Sequence, residues 1–157
     1  MSFNMNTHRV QSILNQYEIG FSLIEFPQST HTSKQAAQVI GCELAQIAKS
    51  LIFKGKVSGK PILVITSGIN RVDEEKIKGY IGEGVEKADA EYVLRNTGFV
   101  IGGVPPVGHL TTVKTLIDED LVNYKELWAA AGTPYTVFRL APCDLLKITK
   151  GEIARVK

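Results

Sequence analysis

The chain is poor in the residues that carry most metal and redox chemistry. Two cysteines, Cys42 and Cys143, and three histidines are spread over 157 residues. Neither cysteine has a second cysteine or a histidine at ligand spacing, which excludes a zinc-ribbon pattern and a disulfide framework. Both cysteines read as small core residues, with a reduced, cytoplasmic compartment expected and neither metal nor cofactor required. No apolar leader and no run of membrane-spanning length is present, so a membrane partner is not expected. Charge of one sign is also missing. A net charge of +2 excludes a chain dominated by nucleic-acid electrostatics; a DNA partner is not expected, and any RNA contact must be local. Nucleotide-binding signatures are absent too, since neither G-x-G-x-x-G nor a Gly-Lys-Ser/Thr ending occurs.

What remains is an ordinary soluble balance, 44% hydrophobic and 22% charged, in a chain long enough for its own core. No linker, repeat or low-complexity tract divides it, so residues 1–157 read as one domain. Helical and strand-like signals alternate. Met5 to Tyr17 carries Val10, Ile13, Leu14 and Tyr17 at helical spacing, and Phe21 to Phe26 reads as a strand. Thr32 or Ser33 caps a helix through Gly41. Ile47 to Lys54 and Pro61 to Thr66 read as strands, the second apolar enough to be central. Asp73 caps a helix ending near Tyr80, Ala88 to Arg95 is another, and Thr111 to Ile117 alternates as a strand. Tyr124 to Ala131 is expected to be helical up to Gly132, Tyr135 to Leu140 a strand, and Pro142 the start of a last helix. The expected fold is a compact single-domain α/β structure with a mixed sheet and surrounding helices.

Two features stand out. The stretch Gly98-Phe99-Val100-Ile101-Gly102-Gly103-Val104-Pro105-Pro106-Val107-Gly108-His109 is too rich in glycine and proline for regular structure and reads as a shaped loop. Gly102 and Gly103 are expected to present bare N–H groups to a carbonyl or phosphate oxygen; a tight structural turn is the competing reading. Within Ile47-Ala48-Lys49-Ser50-Leu51-Ile52-Phe53, strand alternation puts Lys49 on a face with Ile47, Leu51 and Phe53. Its stem either snorkels to the surface or its ammonium lies in a cleft with an anionic partner.

The lysine strand followed by Gly102-Gly103-Val104-Pro105-Pro106-Val107-Gly108 resembles the YbaK/ProX family of free-standing aminoacyl-tRNA editing deacylases, also found as an editing insertion in some prolyl-tRNA synthetases. The likeness runs from Thr32-Ser33-Lys34-Gln35-Ala36-Ala37 to Leu140-Ala141-Pro142. It implies a YbaK/ProX-like fold and a hydrolase that removes a wrongly attached small amino acid from tRNA, most often tRNA for proline, without a protein nucleophile. It also implies a substrate-positioning role for Lys49 and a carbonyl-holding role for the loop from Gly102 to Pro106. Other members carry a tyrosine near the position of Thr32 and an aspartate near that of Val137. This chain departs from both, which bears on which amino acid is removed rather than on the reaction.

An aminoacyl ester is already activated, so its hydrolysis needs a held carbonyl, a placed water and charge stabilisation. Lys49, Gly102 and Gly103 are the expected catalytic set. Thr32, Ser50, Val104, Pro106 and His109 are the expected substrate-binding residues. His109 has a competing reading as a turn histidine bonded to a backbone carbonyl, and His31 is a further candidate for the cleft. His8 is expected to face solvent, Asp118 to Asp120 to serve as caps, and Trp128 with Leu121 and Leu127 to be core or a partner surface. The expected partners are the acceptor end of a mischarged aminoacyl-tRNA and prolyl-tRNA synthetase. A non-catalytic aminoacyl-tRNA-binding module docked on a synthetase, and a small-molecule esterase or anion-binding domain, are the alternatives.

Overall fold

The apolar run from Ile62 to Ile65 becomes the middle of a strand buried on both faces, each of its side chains at most 2% exposed. A run without alternation belongs in the centre of a sheet covered by helices on both sides, and that is its position in the computed structural model, which describes residues 5–20, 22–26 and 32–157. In chain order the described elements are α1 (Met5–Gln16), β1 (Ser22–Glu25), α2 (Ser33–Ile40), β2 (Ile47–Gly55), β3 (Pro61–Ser67), α3 (Glu74–Ile81) and β4 (Val85–Lys87). They continue as α4 (Ala90–Thr97), β5 (Lys114–Asp118), β6 (Leu127–Ala130), β7 (Thr136–Leu140), α5 (Pro142–Thr149) and β8 (Glu152–Ala154).

The strands form one mixed sheet in the order β1-β7-β6-β2-β3-β5-β8, with β4 paired to β2 beside this path. Antiparallel pairs join β1 to β7, β7 to β6 and β2 to β3, whereas β6–β2, β3–β5 and β5–β8 are parallel. Alternation along β3 sorts its side chains to the two faces. Leu63 and Ile65 pack with Val10 and Leu14 of α1, Val93 of α4 and Leu145 of α5. Ile62 and Val64 face the opposite side with Phe53 and with Ile77 of α3. A third cluster joins Ala36 and Ala37 of α2 to Ile47 and Trp128.

Local chemistry sets the helix ends. Thr32 and Gln35 form a reciprocal capping box, each side chain bonding the other's backbone N–H at 3.1 Å. Asp73 caps α3 and Asp89 caps α4, as side-chain acceptors for Glu75 and Tyr92 N–H. Buried Asp118 ties β3 to β5 by accepting from Thr66 Oγ1, Ser67 N–H and Asn70 Nδ2.

Several expectations are corrected. The helix expected from Tyr124 to Ala131 is instead a strand, β6, preceded by a 3-10 turn over Glu119–Asn123. Leu127, Trp128 and Ala129 are buried, and pairing with both β2 and β7 outweighs the helix propensity of the alanines. The strand expected from Thr111 begins only at Lys114, where pairing to β3 begins. Short β4 and β8 escape the sequence reading, each having too few residues for alternation to show. Cys143 is exposed rather than buried, and Cys42 only partly buried. Phe21 and His31 lie outside the described residues.

Candidate active site

An interruption in the sheet creates the site. Strand β2 is paired to β6 only at Ile47 and Ala48, and to β4 only from Phe53 onward. Residues 49–52 therefore have β3 on one side and no described strand on the other. Odd-numbered residues of β2 turn their backbone groups toward β3, shown by the bond from Gly68 N–H to the Ile47 carbonyl at 2.8 Å. The even-numbered ones face the gap, where the Ile52 carbonyl accepts from Ala88 N–H at 3.2 Å. By the same alternation the Ser50 N–H and C=O are directed into the gap.

A pocket of about 380 Å³ lies there, lined among others by Thr32, Lys49, Ser50, Lys87, Gly102, Val104, Trp128 and Thr133. No carboxylate is among the described lining residues. The half-buried Lys49 side chain forms no hydrogen bond or ion pair with another described residue, and its ammonium is held below the ordinary lysine range, first by loss of water and then by the like charge of Lys87. Two further polar atoms on this lining, Ser50 Oγ and Trp128 Nε1, are buried without a hydrogen-bond partner among the described residues. The rest is apolar, including Ala36, Ile47, Val93, Ala130 and Val137.

The glycine loop delivers the opposite wall. Gly103 N–H bonds the Val100 carbonyl at 2.9 Å, closing a turn in which Gly102 has φ +90°. Only glycine adopts that conformation readily. The expectation of two bare amides is thereby corrected: Gly103 N–H is used inside the turn, and Gly102, not Gly103, lines the pocket. Gly103 instead permits close approach, since a Cβ there would stand 2.8 Å from the Thr133 backbone. That neighbouring segment is fixed by Thr133 Oγ1 bonding Thr136 Oγ1 at 2.9 Å and accepting from Tyr135 N–H at 3.1 Å.

Of the residues singled out from sequence, the structure brings together Thr32, Lys49, Ser50, Gly102 and Val104. Pro106 and His109 lie elsewhere, lining a second depression with Ile13, Gln16, Tyr17 and Thr149. There the His109 Nε2 bonds the Pro105 carbonyl at 2.8 Å and the ring meets Phe99 edge-on. Burial, opposed by that carbonyl and reinforced by Arg9, holds the imidazole below its ordinary range. Sequence reasoning missed Lys87 and Trp128 as pocket residues. Trp128 was hidden by the helical reading of its segment, and Lys87 by the brevity of β4.

An aminoacyl-tRNA editing domain family model matches residues 27–148. The YwhH protein of Bacillus subtilis is 29% identical over 95% of this chain and 94% of its own length. A candidate Cys-tRNA(Pro)/Cys-tRNA(Cys) deacylase, EbsC of Enterococcus faecalis, is 26% identical over 92% and 89%. A proline–tRNA ligase of Thermosipho melanesiensis is 34% identical over 66% of this chain but only 18% of the ligase. Among solved structures, one described as a candidate trans-editing enzyme for prolyl-tRNA synthetase superposes with a TM-score of 0.92, at 44% identity and 99% coverage of both chains. With the match extending from before α2 into α5, across both walls of the pocket, the chain belongs to the aminoacyl-tRNA editing domain family.

Proposed function

We propose that this protein is a trans-editing deacylase, hydrolysing the ester between a wrongly attached small amino acid and tRNA, with tRNA for proline the favoured carrier. The observation that carries this reading is Lys49, a half-buried cation without a side-chain partner or a lining carboxylate among the described residues, in the pocket of an editing-family chain. The kinship with EbsC and with a segment of proline–tRNA ligase supports the choice of tRNA. In the reaction, water adds to the ester carbon and the bond to the ribose oxygen breaks. That oxygen takes one proton, and the amino acid leaves as a carboxylate with release of the other.

No Asp, Glu, His or Cys is among the described lining residues to act as base or nucleophile. The neighbouring ribose hydroxyl of the substrate is then the group that helps activate water. Lys49 binds phosphate or ribose and orients the ester, while the Gly102 turn holds the carbonyl. Such an activity answers a physical need, because an apolar synthetase pocket separates side chains differing by one methylene by only about 1–3 kcal/mol. Docking on prolyl-tRNA synthetase in the cytoplasm would raise the effective concentration of freshly mischarged product.

The test is a deacylation screen over tRNAs carrying Ala, Cys, Ser, Thr, Pro and 2-aminobutyrate. Metal-independent turnover of at least one supports the proposal. Tight binding of a charged tRNA with no turnover of any would favour the non-catalytic binding module.

A further inference from the structure

Lys49 and Lys87 bracket the gap in the sheet. Lys49 follows the last β2 residue paired to β6, and Lys87 sits opposite Phe53, where pairing to β4 begins. Odd positions of β2 share one face, and directly paired residues share a face, so both lysines project from the same side of the sheet. The intervening stretch from 49 to 53 spans roughly 13 Å at about 3.3 Å per residue, a distance that two lysine stems can close from either end. Both line the same pocket, and no described lining residue supplies a countercharge. Neither lysine forms an ion pair with a described residue.

Two cations converging on a pocket with no acidic group among its described lining residues fit an anionic ligand. We infer that Lys87 is a second phosphate contact, acting with Lys49 to clamp the phosphodiester that joins the terminal nucleotide of the substrate to the rest of its strand. This inference rests on the editing reading for the identity of the ligand, but not for the existence of the phosphate site. Lys87 is exposed, on a three-residue edge strand, so it is a positioning residue that is reached before the ester is and does not touch the reacting carbon.

The probes are non-hydrolysable 3′-aminoacylamido analogues of adenosine and of adenosine 5′-monophosphate, titrated calorimetrically into the full chain. The wild-type protein should prefer the phosphate-bearing analogue. Lys87→Ala should weaken that analogue by about tenfold, the scale of one charge-assisted contact, with the loss confined to it, and Lys87→Arg should restore most of the binding. With an aminoacylated acceptor-stem helix, the same variant should raise KM rather than lower kcat and reduce the salt slope by about 0.7. Equal weakening of both analogues, or an unchanged phosphate preference in Lys87→Ala, overturns the clamp. If the phosphate preference depends on Lys87 yet no charged tRNA is turned over, the clamp stands and the deacylase reading fails. Turnover that is indifferent to Lys87 sinks the clamp and leaves the deacylase reading standing.

Discussion

Lys49 combines loss of water around its ammonium with a pocket lining that offers no described carboxylate to offset it. A lysine held below its ordinary range destabilises the folded state at neutral pH, because the unfolded chain binds the proton more readily. Its contribution to stability improves only as pH rises through the lowered folded value toward 10.5. Lys49→Met is therefore expected to melt at an equal or higher temperature than the parent while losing activity. In rate, Lys49→Ala should fall by roughly 10²–10³-fold, about 2.7–4 kcal/mol, if one preorganised charge contact is removed. Near-parental turnover would return Lys49 to a snorkelling role. After subtraction of the uncatalysed rate, the alkaline limb of the pH profile should lie below the ordinary lysine range, and Lys87→Ala should move it upward by removing the like charge.

At the scale of elements, the glycine turn and the loop beyond it have separable tests. Gly102→Ala meets open space, its nearest neighbour being Pro134 Cβ at 4.0 Å, but must hold φ +90°; a stability loss of about 1–2 kcal/mol is expected from that strain alone. Gly103→Ala meets the Thr133 backbone and should cost more, shifting the pocket wall and reducing hydrolysis in a protein still folded by circular dichroism. Full activity in both variants would remove the turn from the mechanism. In the other depression, His109 keeps its imidazole neutral by burial. Its stabilising contribution is complete above about pH 6.5 and is lost as pH falls through the lower folded value. The melting temperature should drop as pH falls below about 6.5, and His109→Gln should flatten that drop without a comparable loss of kcat. A collapse of kcat at unchanged melting temperature would place His109 in the chemistry instead.

For the whole molecule, the modest net charge and the small basic site predict local tRNA recognition. The logarithm of affinity should fall with log salt at a slope of about 2–4 in total, from roughly 0.7–0.9 per phosphate contacted. An acceptor-stem helix should be deacylated almost as well as full-length tRNA; a strict need for the anticodon arm in the isolated protein would contradict this. Among the described residues no three His, Cys, Asp or Glu side chains gather into a potential metal site. Chelator should accordingly leave the rate unchanged, and loss with EDTA and recovery with zinc would overturn the proposed chemistry.

Local chemistry was legible in the chain itself. The caps at Thr32 and Asp73, the central apolar strand, the loop around Gly102 and the misplaced Lys49 all follow from interactions within a few residues, which one-dimensional spacing records. Assembly was not. Whether the alanines near Trp128 become helix or strand depends on β2 and β7 pairing with them from distant parts of the chain. Whether Gly103 N–H is free depends on a turn closing back to Val100, and whether His109 reaches the pocket depends on the far end of the loop settling beside α1 and α5. The gap in the edge of β2, which makes the pocket and sets Lys87 against Lys49, exists only because β6 stops pairing before β4 begins. No residue encodes that alone, since it is a property of where strands end relative to one another.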